Sequence, residues 1–293
     1  MTFRSLSRRA LSSLRSPGRA AGRRGPSFPG PVLLEGGYRV RFALVEEDLE
    51  RVQRLRFEVF NRELGEGLDS SWDTGRDEDE FDHSCDHLML EDGESGALVG
   101  TYRMQTREMA ARGSGFYCDA EVDLSALPAE VLDNGIELGR ACILAGHRNG
   151  MALFALWRGL ALYSSAMNRR LLFGCCSLTS QDPREGFALE RRLEAMGRVS
   201  KRWRIATREG YHCDPELAKG KLPDVEMPRL FGTYLRYGAE VCSAPALDTA
   251  FRTIDFLILL DLDRIQRRVR SMFFSDLEPA LEEAGVLGRG LAR

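Results

Sequence analysis

No apolar run in this 293-residue chain approaches the ~18 residues that a membrane-spanning helix needs. Histidine is scarce, at four residues. His83 and His87 stand four apart, but no helical pattern surrounds them and no third ligand follows, so no metal site is expected. The seven cysteines form no Cys-x-x-Cys pair and no ladder with histidine, which argues against a zinc module or a disulfide framework. They read as small buried apolar residues in a reducing cytoplasm, the expected location. Acid is missing from residues 1–30, which carry seven arginines, so the rest of the chain holds −10 against the overall −3.

The Arg-, Ser-, Gly- and Pro-rich stretch 1–31 has no apolar periodicity and reads as a disordered basic arm. The same composition fits an organelle transit peptide or an arm that meets anionic lipid or nucleic acid. It lacks the apolar core of a secretory signal. For the folded part no nucleic-acid partner is expected. Folded sequence is expected over 32–275, followed by a tail over 276–293.

What the chain does contain centres on Gly135 to Gly159, GIELGRACILAGHRNGMALFALWRG. The spacing predicts a buried strand at 136–145, a loop at 146–150 and a helix from Met151. Glu137 and Arg140 interrupt the apolar strand, and a charge there is costly unless paired or used. Glu137 is therefore a candidate general base, or a structural partner for Arg140. Gly139 is where a bulge would strain the strand least. Arg148, Asn149 and Gly150 precede a helix start, where backbone N–H groups and the helix dipole favour phosphate.

Around this segment, alternation predicts strands at 38–44, 87–91, 97–105, 171–177, 240–243 and 255–262. Helices are predicted at 46–64, 128–132, 185–197, 228–237 and from Arg264, the last amphipathic and basic enough to lie on a membrane surface. The order β-α-β-β-(α)-β-α-β-α-β predicts one mixed α/β sheet covered by helices. Cys175 and Ser177 lack the neighbours that would activate a nucleophile. Arg158, Arg169, Arg170, Arg191 and Arg192 are candidates for a basic face.

Seven short motifs occur in a telling order: LRFEVF (55–60), DEFD (79–82), VGTYRM (99–104), ELGRACIL (137–144), HRNG (147–150), FGCCSL (173–178) with Asp182-Pro183, and TIDFLILLDL (253–262). Over about residues 36–275 the pattern resembles the branch of the GNAT superfamily that takes acyl groups from acyl carrier protein. Within that branch it is most similar to bacterial ornithine N-acyltransferases, the "hemolysin-like" enzymes of lyso-ornithine lipid synthesis. Acyl-homoserine-lactone synthases and N-acyl amino acid synthases share part of it. The resemblance implies a GNAT fold, a mixed and mostly antiparallel sheet with one splayed parallel strand pair.

It further implies transfer of a (3-hydroxy)fatty acyl group to the α-amine of L-ornithine. The alternatives are another amino-acid acceptor or S-adenosylmethionine. No permanent cofactor is implied. The phosphopantetheine of the acyl carrier protein is the donor, since the loop after Arg148 carries too few glycines for a coenzyme A pyrophosphate cradle. Glu137, Arg140 and a bulge at Gly139 are implied as the catalytic set. Arg56, Phe60, Asp79, Asp82 and Arg103 are implied on the amino-substrate side, and Arg148, Asn149 and Gly150 at the donor phosphate. The five arginines named above would meet the acidic carrier protein.

Overall fold

The computed structural model describes residues 28–283; the arm expected over 1–31 lies outside them up to residue 27, as does the chain after 283. The chain runs β1 (Leu33–Glu35), β2 (Tyr38–Phe42), α1 (Glu46–Phe57), α2 (Ser71–Thr74), β3 (Asp86–Asp92), β4 (Leu98–Thr106), α3 (Arg107–Ala110), α4 (Ala129–Asp133), β5 (Gly135–Ile143), α5 (Gly150–Ala166), β6 (Leu171–Leu178), α6 (Pro183–Ala195), α7 (Arg229–Tyr237), β7 (Glu240–Val241), β8 (Ala246–Asp248), β9 (Thr253–Asp261), α8 (Arg267–Phe274) and α9 (Leu277–Glu283). Nine strands form one sheet in the order β1-β2-β3-β4-β5-β6-β9-β7, with β8 also on β9. Every pairing is antiparallel except β5 with β6.

That parallel pair is short. Gly135, Ile136 and Glu137 face Leu171, Leu172 and Phe173, and then the ladder stops. β5 continues to Ile143 against β4 alone, while β6 continues to Leu178 against β9 alone. The strands part where Gly174 meets Leu138. A Cβ on Gly174 would sit 2.2 Å from the Leu138 carbonyl oxygen, so only a residue without a side chain lets the backbones come this close before they splay.

One face of the sheet is covered by α5. Its start is fixed by Asn149, whose side chain accepts from the N–H groups of Met151 and Ala152, an N-cap worth about 1 kcal/mol. Gly159 lets α5 lie flat on the sheet, since a Cβ there would reach Val40 and Leu88 at 2.7–2.8 Å. Trp157, Leu160, Leu162 and Tyr163 are buried beneath the helix. The opposite face carries a smaller core of Cys118, Val122, Leu124, Phe173, Leu257 and Leu259.

Three segments differ from the sequence reading. The helix expected over 46–64 changes at Phe57 into a π-helical turn, Glu58–Leu64. The basic helix expected from Arg264 begins at Arg267 as α8, and it turns Phe273 into the core against Trp157 and Tyr237 while Met272 stays exposed. The tail expected from 276 begins with α9, whose Leu277, Ala280 and Leu281 are buried. Phe28 belongs to the fold as well, edge-on to Phe42 and Tyr163. Among the described residues no helix is long and apolar enough to cross a membrane.

Gly174→Ala tests the splay point. Forcing a methyl group into a closed contact costs about 1–3 kcal/mol. We expect a lower melting temperature, by about 2–4 °C per kcal/mol in a chain of this size, measured by thermal unfolding.

Candidate active site

The splay opens onto a cavity of about 820 Å³, within the range of small-molecule sites. Its lining includes Leu138–Ile143 of β5, Cys175–Ser177 of β6, the turn Arg148–Gly150 and one side of α7. α7 is held by a 2.7 Å hydrogen bond between the hydroxyls of Tyr102 and Tyr234.

The bulge in β5 lies one residue beyond the expected place. Thr101 faces Cys142, whereas Arg103 faces Gly139, so three steps of β5 match two of β4. Arg140 has φ +47°, the left-handed region, while Gly139 needs no such angle. The structure thus places the bulge on Arg140 and leaves Gly139 an ordinary ladder residue. The physical consequence is a change of face. Strict alternation would set Arg140 opposite to Glu137. With the bulge, Arg140 joins Glu137 on the side of Tyr117, with its guanidinium 4.8 Å from the Tyr117 ring and 4.4 Å from that of Phe251.

Glu137 and Arg140 do not serve as partners of one another. Glu137 accepts from Gln105 Nε2 at 2.6 Å and from the backbone N–H groups of Tyr117 and Cys118 at 3.1 and 2.8 Å. Both of its oxygens are engaged, which suits an anchor for the 116–118 turn better than a proton acceptor. Arg140 instead reaches Asp77 Oδ1 at 3.3 Å and Asp79 Oδ2 at 3.1 Å.

Those contacts belong to a buried network of three arginines and three aspartates. Arg56, fully buried, donates to Asp77 and to both oxygens of Asp82 at 2.8–2.9 Å. Arg103 donates to Asp79 at 2.5 Å and to Asp82 at 2.9 Å. Gln53 supplies a further donor to Asp82, and His87 Nε2 meets the Asp82 backbone carbonyl. Burial works against ionisation of Asp82, but Arg56 and Arg103 outweigh it and hold the carboxyl well below its usual range. Burial brings His87 down to about 4, so it is neutral at pH 7 and engaged in the network. Arg56, Asp79, Asp82 and Arg103 are therefore brought together as expected, but they satisfy each other. The two aspartates are not free to bind an ammonium group. Phe60 lines the cavity edge-on to Phe251, 5.4 Å between centroids.

At the donor turn, Arg148 donates to the Ile143 carbonyl at 2.8 Å and forms a forked ion pair with Glu63. Glu63 is delivered by the π-helical turn. Asn149 is occupied with capping α5, and Gly150 is the first residue of that helix. The five arginines of the anticipated basic face do not act alike. Arg158 is committed to Glu35 and to the carbonyls of Phe273 and Ser275, tying α5 to the C-terminal helices. Arg191 and Arg192 donate to the carbonyls of Ala218 and Val225, while Arg169 pairs with Glu108. Cys175 is raised well above its usual range by the Cys118 hydrogen bond and burial, which makes it unfit as a nucleophile.

The sequence reading passed over a second group of acids. Glu121, Asp248 and Asp255 come from three separate segments and are all buried, with carboxylate oxygens within 4.8 Å of one another. Asp255 and Glu66 line the cavity. Burial, with Asp255 nearby, pushes Glu121 well up, and burial, with Asp248 and Glu66, pushes Asp255 up to about 6. Asp255 carried a signal that could have found it, a charge inside the apolar run TIDFLILL.

A family model described as an acetyltransferase (GNAT) domain matches residues 55–158, from α1 through the bulged strand into α5. A splayed parallel pair beside a bulge, opening onto a cavity, together with this match, makes the protein an acyltransferase of the GNAT type. Among curated proteins, the L-ornithine N(alpha)-acyltransferase of Brucella abortus (strain 2308) is 31% identical over 250 residues, 81% of this chain and 89% of that protein. The enzyme of the same name from Rhodobacter capsulatus is 32% identical over 254 residues, 82% of this chain and 96% of that protein. The chain belongs to this family, the L-ornithine N(alpha)-acyltransferases. Solved structures align over most of the chain at lower similarity. FeeM, an N-acyl amino acid synthase from uncultured soil microbes, is 10% identical over 78% of this chain and 91% of that one, TM-score 0.45. The acyl-homoserine-lactone synthase LasI is 13% identical over 81% and 94%, TM-score 0.42.

The two acid groups give opposite expectations for stability. Arg56→Met leaves buried aspartates without their cation and is expected to cost about 3–5 kcal/mol in chemical denaturation. Asp255 behaves in the other sense. Its folded pKa, about 6, lies above the ordinary 3.8, so folding favours the protonated form. The penalty is absent below about pH 4, grows as pH rises, and is complete above about pH 6. Asp255→Asn is therefore expected to melt higher than the parent at pH 7.5, with the gap closing toward pH 4.

Proposed function

We propose that this enzyme transfers a fatty acyl group from the phosphopantetheine of an acyl carrier protein to the α-amine of L-ornithine, releasing the carrier thiol and an N-acyl amino acid. The observation that carries the reading is the opened pair β5/β6 with its bulge, set in a cavity that reaches both the helix-start turn and a set of acids. The acceptor is taken from the relatives' names. The donor arm enters beside Arg148 and Gly150, and the acyl chain lies between the strands against Leu138, Leu153, Leu156 and Phe231, an apolar wall.

The thioester carbonyl sits at the bulge. There the extra residue is left out of the ladder, and a backbone N–H released to a developing oxyanion is worth about 3 kcal/mol in other acyl-transfer enzymes. The neutral α-amine attacks the carbonyl carbon, the C–N bond forms, the C–S bond breaks, and the departing thiolate takes up the proton the amine loses. Arg140 and Glu137 are positioning residues in this scheme. Arg140 locks the bulge through Asp77 and Asp79, and Glu137 holds Tyr117 against it. Arg148 exchanges part of its pairing with Glu63 for the donor phosphodiester.

The test is thiol release from a 3-hydroxyacyl carrier protein, dependent on added ornithine. Arg148→Ala is expected to raise KM for the acyl carrier protein about tenfold or more, the loss of one charge-assisted phosphate contact. Glu63→Gln, which frees Arg148, is expected to lower it. Absence of ornithine-dependent release overturns the acceptor assignment, and no effect of either variant on KM overturns the donor site.

A further inference from the structure

Among the described residues, Glu121, Asp248 and Asp255 form an acidic group with no basic partner in hydrogen-bond reach. Asp248 Oδ1 accepts from the N–H groups of Ala250 and Phe251 at 2.9 and 2.8 Å, Asp255 Oδ2 from the Thr253 hydroxyl at 2.9 Å, and Glu121 Oε2 from the Cys175 thiol at 3.2 Å. Among the described residues Glu121 Oε1 has no donor although Glu121 is only 1% exposed, and Asp255, 3% exposed, has only the hydroxyls of Thr253 and Ser177 beside it. Arg140 is near enough to pull on Glu121, yet its hydrogen bonds run to Asp77 and Asp79. Asp255 opens onto the cavity, and so does Glu66, whose partner is the Thr179 hydroxyl. A fold that buries this much acid beside a substrate cavity leaves a positive charge to be brought by the ligand.

The chemistry narrows what that ligand group is. It must be small enough to enter from the cavity, positively charged, and rich in N–H donors for several carboxylate oxygens. A primary ammonium offers three donors on a compact head. We propose that Glu121, Asp248 and Asp255 form the pocket for the side-chain ammonium of the acceptor, making the enzyme selective for diamino acids. The proposal rests on the acyl-transfer reading of the cavity and adds a division of labour between the two amines. Carboxylates around an ammonium favour its charged form, and a charged amine has no lone pair with which to attack. The amine in the acid pocket is thereby kept out of the reaction, and acylation falls on the other one.

The test uses the purified full chain with acyl carrier protein as donor and two acceptors, L-ornithine and L-norleucine, the latter with a methyl group in place of the side-chain ammonium. The parent is expected to favour ornithine in kcat/KM by about 100-fold or more, because norleucine would leave the acids without a cation. Glu121→Gln and Asp255→Asn are each expected to cut that ratio about tenfold or more, chiefly through KM for ornithine. A purely structural role lowers both acceptors alike, so an unchanged ratio in both variants overturns the proposal. Loss of ornithine transfer on chelation, restored by Mg²⁺ or Mn²⁺, also overturns it by assigning the carboxylates to a divalent cation. Calorimetric titration without donor separates the pocket from the reaction. Ornithine binding that exceeds norleucine binding in the parent, and loses that preference in both variants, upholds the pocket even if no thiol is released. In that case the acyl-transfer reading falls alone.

Discussion

The contact between Gly174 and the Leu138 carbonyl is the constraint on which the site depends. Up to Glu137 and Phe173, β5 and β6 are a parallel ladder. At the next pair the backbones come too close for any side chain, and beyond it they separate. A gap in the middle of a sheet normally leaves buried N–H and C=O groups without partners. Here each strand keeps its outer neighbour, β4 or β9, so apart from the bulge at Arg140 and Ala141 the residues of the gap retain one ladder. The sheet can therefore be opened for a substrate without losing its cohesion.

Behind the cavity wall, at Arg103 and Arg140 and at Asp255, two sets of acids are managed in opposite ways. Asp77, Asp79 and Asp82 are balanced one for one by Arg56, Arg103 and Arg140, and their mutual hydrogen bonds offset the cost of burial. That balanced block joins α1, the acidic loop, β4 and the bulge of β5, which explains how a left-handed arginine is tolerated in a strand. Glu121, Asp248 and Asp255 have no such balance. One set is neutralised within the protein, and the other is left without a cation beside the substrate space.

Much of this was legible in the sequence. The odd charges Glu137 and Arg140 inside an apolar strand marked the strand that lines the cavity, because burying a charge needs a reason whatever the fold. The glycine at 139 misled about the bulge: conformational freedom permits a left-handed angle, but the ion pairs of Arg140 with Asp77 and Asp79 impose it one residue later. The pairing of DEFD with Arg56 and Arg103 was visible only as residue types in order, since local spacing does not tell whether a carboxylate meets a ligand or a guanidinium. The second acid group joins positions 121, 248 and 255, and nothing short of the sheet topology brings them together. The strand 246–248 is too short to show a period, and the apolar residues of α9 are too few to mark it as a helix.

The sheet order also has a consequence for how the chain comes to be folded. β9, residues 253–261, is inserted between β6 and β7, late in sequence but interior in the sheet. While a ribosome is still adding residues, β6 has only its brief contact with β5 and a long bare edge on the other side, with the apolar LLFGCCSL run along it. Such an edge is a template for pairing with other chains. The sheet is thus complete only after β9 has been made, and residues well over a hundred positions apart in the chain must meet before the cavity exists. Segments released early, β1 to β4 with α1, can associate as a local meander, but the half that carries the acids 248 and 255 must wait. Productive folding of this protein is therefore a race between covering the bare edge of β6 with β9 and having it covered by a neighbouring chain.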